Sequence, residues 1–214
     1  MFEDVRRRIH GRHVRWYYAK RLAVGMLRGV PVGVLHSFIG SAAAGMMLEE
    51  MIASGARRVV EVGLCGGLKS SSKPGDIIVA GDAFVDEGTS RHYHSTPTKF
   101  SAARNLKGRL EQVLEKGGTE FRIGGVWTTD APYRETRKKL LRFSGRGALG
   151  VNMESSALFA IGRYRHVEVA SLQVVSDILG TKSWRPSFHY EKVAERSKFA
   201  AAAAVEALTG FEGN

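Results

Sequence analysis

The sequence predicts an α/β fold: a three-layer sandwich with a mixed, largely parallel central sheet covered by helices on both faces. Two observations predict it. Short β-branched runs alternate with helical segments along the chain, the order that builds strands joined by crossover helices. One such run, Arg58 to Val62, enters the glycine-rich stretch Gly63-Leu64-Cys65-Gly66-Gly67, as a buried strand does where it opens onto a loop. The 214 residues suit one domain over 1–214, and a hydrophobic content of 43% supplies its core.

The elements run in chain order. Residues 2–21 are charged and aromatic, with irregular apolar spacing, and read as a helix followed by an extended stretch. Leu22 to Leu27 and Val30 to Leu35 flank Arg28-Gly29 and read as a β-hairpin. Ser41 is placed to cap a helix over Ala42 to Ala53, with Gly55 at its end. Lys73-Pro-Gly-Asp76 is a turn before a strand from Ile77 to Ala80, and a helix is expected from about Phe100 to Leu114, stopped by Gly117-Gly118. Then come a strand from Phe121 to Thr128, a helix from Tyr133 to Phe143, a short strand from Leu149 to Asn152 and a helix from Glu154 to Tyr164. A strand from Val167 to Ser176 precedes a terminal helix, His189 to Leu208, built on an alanine run. No internal repeat is visible.

Charge and cysteine content narrow the setting. Thirty-two Lys and Arg against 21 Asp and Glu give a net charge of +11, which raises nucleic acid or another polyanion as a partner. The basic residues concentrate at Arg6 to Arg21 and Lys138 to Arg146, so two solvated helix faces are the preferred reading and nucleic acid is not favoured. No apolar run approaches the ~20 residues of a membrane span, and the start lacks the apolar core of a secretory signal. With one cysteine, Cys65, and no intrachain disulfide to make, the expectation is a cytoplasmic protein with no membrane contact.

Ligands of such sheets sit beyond the carboxyl ends of strands, and three strand ends carry candidate chemistry: Gly63 to Gly67, Asn152-Met153-Glu154, and Ser176-Asp177. Each has a plain structural reading by itself. Glycines serve ordinary turns, a glutamate in a first helical turn suits the macrodipole, and an aspartate can cap the next segment of chain. Together and in this order they resemble the nucleoside phosphorylase family, which includes hexameric purine nucleoside phosphorylases, uridine phosphorylases and hydrolytic nucleosidases. The resemblance spans roughly residues 22 to 178. It is carried by Gly29 to Gly40 with the helix to Gly55, and by Val59-Val-Glu-Val-Gly-Leu-Cys-Gly-Gly-Leu68, Lys73-Pro-Gly-Asp-Ile-Ile-Val79, Asp86-Glu-Gly-Thr-Ser90, Trp127-Thr-Thr-Asp-Ala-Pro-Tyr133, Val151-Asn-Met-Glu-Ser-Ser156 and Val174-Val-Ser-Asp177.

The resemblance implies roles for individual residues. Glu154 matches the glutamate that accepts hydrogen bonds from the ribose hydroxyls, with Met153 against the sugar; a carboxylate suits two hydroxyl donors. Asp177 matches the acid that protonates the purine N7 as the glycosidic bond breaks, a general-acid role worth ~10²–10⁴ in rate. Cys65, Gly66, Pro132, Tyr133, Asn152 and Ser176 match positions around the base. The implied activity is pentosyl transfer, cleaving a nucleoside with inorganic phosphate as co-substrate, with no cofactor and no metal. The implied assembly is a homo-oligomer, a dimer or trimer of dimers. Asp177 favours a purine, since the uridine-specific branch generally lacks it and places a glutamine and an arginine shortly after the Tyr133 position, where this chain has Thr136, Arg137 and Lys138; Arg137 and Arg185 remain candidates for a pyrimidine oxygen.

The phosphate end departs from the family. The first strand ending in Gly-Asp-Pro-x-Arg is not found, Glu61 stands where an arginine is usual, and Leu64 where a Ser or Thr is usual. The remaining phosphate candidates are the backbone N–H groups at the start of the Ser41 helix and, reaching in from a neighbouring copy, Arg15 or Arg21, and Glu61 is expected either to pair with Arg57, Arg58 or another basic residue or to face the pocket. The acceptor stays open between phosphate and water, and a nucleoside- or nucleic-acid-binding protein without catalysis is the third reading.

Overall fold

The computed structural model describes residues 1–16, 21–96, 98–179 and 184–210. The expected extended stretch before residue 21 therefore lies partly outside the described residues. Ahead of it come a helix α1 (Phe2–Arg8) and a short strand β1 (Arg12–Val14). Strands β2 (Arg21–Leu27) and β3 (Val30–His36) form the expected hairpin, registered Leu27↔Val30. Arg28 and Gly29 both take positive φ, 53° and 79°, the two left-handed residues of the turn whose twist matches its strands. With β1 this hairpin makes a separate three-stranded antiparallel sheet, which rests with α1 on the terminal helix α6 (Glu191–Thr209) through Val5, Ile9, Val30, Val32, Ala201 and Val205.

The main sheet has seven strands: β4 (Arg58–Gly67), β5 (Ile77–Asp86), β6 (Lys99–Ser101), β7 (Arg122–Thr129), β8 (Ala148–Asn152), β9 (Glu168–Leu179) and β10 (Trp184–Pro186). Their order is β10-β9-β4-β8-β7-β5-β6. The pairs β4–β9, β5–β7 and β7–β8 are parallel, and β4–β8, β5–β6 and β9–β10 antiparallel, so the sheet is mixed as the sequence implies. β9 also pairs with β5, Ile77↔Val174 to Val79↔Leu172, which bends the sheet until β9, β4, β8, β7 and β5 close on one another.

Helices cover both faces. Along β5 the side chains alternate, as strand pleating requires: Ile77 and Val79 pack against α3 (Arg104–Lys116) and α6, Ile78 and Ala80 against α2 (Ser41–Ala53) and α5 (Ser155–Arg165). In α3, Leu106, Leu110 and Leu114 recur every four residues and are fully buried. The alanines of α6 let that helix lie close to the sheet on one side and the small sheet on the other. Helix α4 (Arg137–Gly145) closes a smaller cluster in which Trp127 stacks on Phe143 with ring centroids 4.8 Å apart.

Several boundaries differ from the sequence reading. The stretch Gly63–Gly67 continues β4 as strand and is not a loop. A Cβ on Gly66 would lie 2.4 Å from Leu179 Cδ1, so glycine is there because the neighbouring strand is close. β5 runs on to Asp86, since β6 and β7 pair with its second half. That pairing takes residues 99–101 from the start of the expected third helix. Tyr133 sits in a single 3₁₀ turn, Pro132–Arg134, with α4 beginning only at Arg137. Ser41 is not the N-cap of α2: Gly40 holds that position, and the Ser41 side chain is fully buried.

Candidate active site

The carboxyl ends of β4, β8 and β9 and the turn entering α2 surround a cavity of about 1400 Å³. Each wall is set by its element. β8 delivers Met153 and Glu154 at the start of α5, where Glu154 is the N-cap. Glu154 Oε1 accepts from the Gly40 backbone N–H at 2.8 Å and Oε2 from the Met153 N–H at 3.0 Å. Burial raises the pKa of this carboxyl, and the two N–H groups oppose that rise. Ser41 Oγ donates to the Met153 carbonyl at 2.7 Å, tying the α2 and α5 entries together.

β9 delivers the second acid. Asp177 is buried, with Oδ1 accepting from Ser176 Oγ at 2.8 Å and Oδ2 from Trp184 Nε1 at 2.7 Å. Trp184 arrives because β10 folds back on β9, registering Pro186 with Asp177. Ser176 Oγ also lies 3.3 Å from the Cys65 carbonyl, which joins the ends of β4 and β9.

The third acid is Glu61, on β4. The cavity reaches it, and the expected pairing with Arg57 or Arg58 is not what holds it. Ser155 Oγ donates to Glu61 Oε2 at 2.5 Å, Ser155 Oγ lies 3.2 Å from Ser171 Oγ, and Gln173 Nε2 donates to Ser171 Oγ at 2.8 Å. Arg57 instead donates to the Ile52 and Ala56 carbonyls. Burial, then the charge of Glu154, pushes the Glu61 pKa up to about 7 against the hydroxyls and amide around it. The β4 wall of the cavity thus carries a buried carboxyl at the position where the resembled family usually has a cation. Leu64 beside it is exposed and adds no donor.

The remaining candidates divide. Gly66 lines the cavity where its missing Cβ would lie 3.2 Å from Asp177 Oδ2. Cys65 lines it by backbone; its side chain is buried in the core with α2 and α5, and burial pushes its thiol pKa up. Asn152 is turned inward, its Oδ1 accepting from Thr128 Oγ1 and its Nδ2 donating to Ser155 Oγ, so it braces the Glu61 cluster. Pro132 and Tyr133 stand at the rim, and Tyr133 is fully exposed among the described residues. Arg21 lines the mouth near Glu3, 3.9 Å away, and Arg137 lines it from the start of α4. Arg15, Arg185 and Ser41 are not among the residues that line the cavity from this chain, and the Ser41 hydroxyl is engaged with the Met153 carbonyl. Sequence reading missed Trp184 and Glu135, which also face the cavity. Glu135 lies two residues beyond Tyr133, close to the recognised segment; nothing local marks Trp184.

The sequence profile of the phosphorylase superfamily matches residues 5–209. The chain belongs to the phosphorylase superfamily. A DeoD-type purine nucleoside phosphorylase of Bacillus cytotoxicus is 30% identical over 161 residues, 73% of this chain and 68% of that protein. Uridine phosphorylase of Vibrio fischeri superposes with a TM-score of 0.84 at 24% identity, over 98% of this chain and 87% of the other. Purine nucleoside phosphorylase of Toxoplasma gondii superposes at 0.87 with 19% identity, over 98% and 86%. The fold class expected from sequence is therefore that of the superfamily, and so is the expected enzyme class. Among the described residues no helix is long and apolar enough to cross a membrane, and no group of acids, histidines and cysteine has the makings of a metal site.

Proposed function

We propose that this phosphorylase-superfamily chain cleaves the N-glycosidic bond of a nucleoside, a purine nucleoside by preference, with phosphate as the acceptor. The observation that carries the reading is the arrival of Glu154 and Asp177, from different strand ends, on one cavity. Glu154, with both oxygens oriented by backbone N–H groups, would take the two ribose hydroxyls on its remaining lone pairs and fix the sugar against Met153. An acceptor oxygen would then bond to C1′ as the C1′–N9 pair leaves with the base, and Asp177 would deliver the proton to N7. Nothing in this scheme calls for a cofactor. The purine preference rests on Asp177.

Hydrolysis is the second reading, and Glu61 favours it. An ionised carboxylate repels a phosphate dianion by ~1–4 kcal/mol at contact, whereas the same group accepts a proton from water. The fully exposed Tyr133 and the 81% exposed Ile39 at the cavity rim suit a homo-oligomer in which a second copy covers the mouth. A cytoplasmic setting fits the single buried cysteine. Chromatography of the products from a nucleoside panel, with and without phosphate, tests the reading. Free base with ribose 1-phosphate, only when phosphate is present, is the expected result; free ribose in both conditions selects hydrolysis, and intact nucleoside throughout overturns both.

A further inference from the structure

Glu135 is the cavity acid to which the scheme above gives no task. It follows the Pro132–Arg134 turn, is half-buried, and lines the cavity on the side of Asp177. No side chain or backbone group of the described residues hydrogen-bonds to its carboxyl, whereas both oxygens of Asp177 are already taken by Ser176 and Trp184. A half-buried carboxyl that faces a binding cavity and takes no hydrogen bond from the described residues has its hydrogen-bonding capacity to offer a ligand. If Asp177 stands at the purine N7, the next polar group along that edge of the base is the 6-substituent, adjacent to N7 across the ring fusion. An acid beside Asp177 meets that group.

We propose that Glu135 is a specificity-determining residue that reads the 6-substituent of the purine, accepting from a 6-amino group when ionised and donating to a 6-oxo group when protonated. The inference rests on the purine reading of the cavity. Chemistry distinguishes the two bases: the 6-amino group of adenine presents N–H donors, and the 6-oxo group of hypoxanthine presents an acceptor. A carboxylate can satisfy only the first, a carboxylic acid also the second. Burial, then the charge of Asp177 on β9, pushes the Glu135 pKa up to about 7, with Lys139 of α4 opposing. The other acidic, basic and histidine groups on the cavity wall are Arg137 of α4, Arg58 and Glu61 of β4, Glu154 at the head of α5, His36 at the end of β3 and Arg21 at the start of β2. Lys139 is itself held by Asp86, 2.8 Å away, which limits its pull on Glu135.

The test is calorimetric titration of the intact protein with free adenine and free hypoxanthine, alongside Glu135→Gln and Glu135→Asp. Between about pH 6 and about pH 8 the preference for adenine over hypoxanthine should rise roughly tenfold in wild type, the change expected when one carboxyl sets the choice. Glu135→Asp, which keeps a titrating carboxyl, should retain the trend, and Glu135→Gln should flatten it. The same trend in Glu135→Gln, a flat profile in wild type, or failure of either base to bind overturns the inference. Nucleoside cleavage is scored separately. Base binding with the expected trend but no cleavage would overturn the proposed reaction and leave the role of Glu135 standing. Cleavage with an unaltered trend in Glu135→Gln would do the reverse.

Discussion

Two single residues carry predictions of opposite kinds. Asp177 is held by Ser176 and Trp184 without help from any ligand, so Asp177→Asn should fold and keep nucleoside affinity within a few-fold. Turnover should fall by roughly 10²-fold or more, the loss expected of a missing general acid. Steady-state kcat and KM measured on inosine and adenosine check it, and unchanged turnover would place the acid elsewhere. Glu61 speaks through stability. Its folded pKa, about 7, is above the ordinary carboxylate value, so between the two values the folded chain binds more protons than the unfolded one. Stability must therefore be greatest on the acid side, decline as pH rises through about 7, and level off above it. Glu61→Gln keeps an acceptor for Ser155 and removes the titration. The slope attributable to Glu61, on the order of 1–3 kcal/mol between about pH 5 and about pH 8, should vanish in the variant. Urea unfolding at stepped pH values measures it; parallel profiles for the two proteins would show that Glu61 is ionised in the fold throughout.

At the scale of elements, the ends of β4 and β9 wall the cavity side by side, and glycine sets how close they come. A Cβ at Gly66 would meet Leu179 Cδ1 at 2.4 Å and Asp177 Oδ2 and Val151 Cγ1 at 3.2 Å. The Leu179 methyl is the flexible end of a side chain, so Gly66→Ala should cost only about 1–2 kcal/mol of stability. The Asp177 carboxylate, held on two sides, has less room to yield, and kcat/KM should drop about tenfold or more from misplacement alone. A denaturation midpoint and a kinetic constant on the same sample decide it: a stability loss with kcat/KM intact would mean that strand spacing does not set the acid's position. The same elements show what the sequence can and cannot disclose. The β2–β3 hairpin is legible because its turn is written in two adjacent residues, Arg28 and Gly29. Glu154 and Asp177 are legible because strand ends in such sheets point at ligands, and both acids stand at such ends. Trp184 is not, because it reaches Asp177 only through the β10 return, a pairing that no local pattern encodes. The β6 strand reads as the start of a helix for the same reason, since Lys99–Ser101 becomes strand only by pairing with β5. Ser41 reads wrongly as a cap because its hydroxyl finds a distant partner, the Met153 carbonyl.

For the whole molecule the question is what a net charge of +11 does. The structure divides the charge much as its distribution along the sequence suggests. On α1, Arg6 and Arg7 pair with Glu3 and Asp4, and Arg8 reaches Glu206 on α6, so that face is partly self-neutralised. On α4, Arg137, Lys138 and Arg142 are exposed while Leu140 and Phe143 are buried, and the Arg142 guanidinium lies over the Phe143 ring. The cavity carries the carboxyls of Glu61, Glu135, Glu154 and Asp177, and Lys138 and Arg142 lie on exposed helix surface outside it. Such a surface attracts polyanions by counterion release alone, which falls steeply with salt and reads no sequence. A column of immobilised mixed-sequence duplex DNA should therefore retain the protein at about 50 mM salt and release it by about 200 mM, with no dependence on sequence. Exchanging Lys138 and Arg142 for glutamine should lower the releasing salt concentration and leave nucleoside cleavage unchanged, because neither residue lines the cavity. Retention well above physiological salt, or a loss of cleavage in that double variant, would tie the basic face to the reaction and make a polyanion part of what this chain binds.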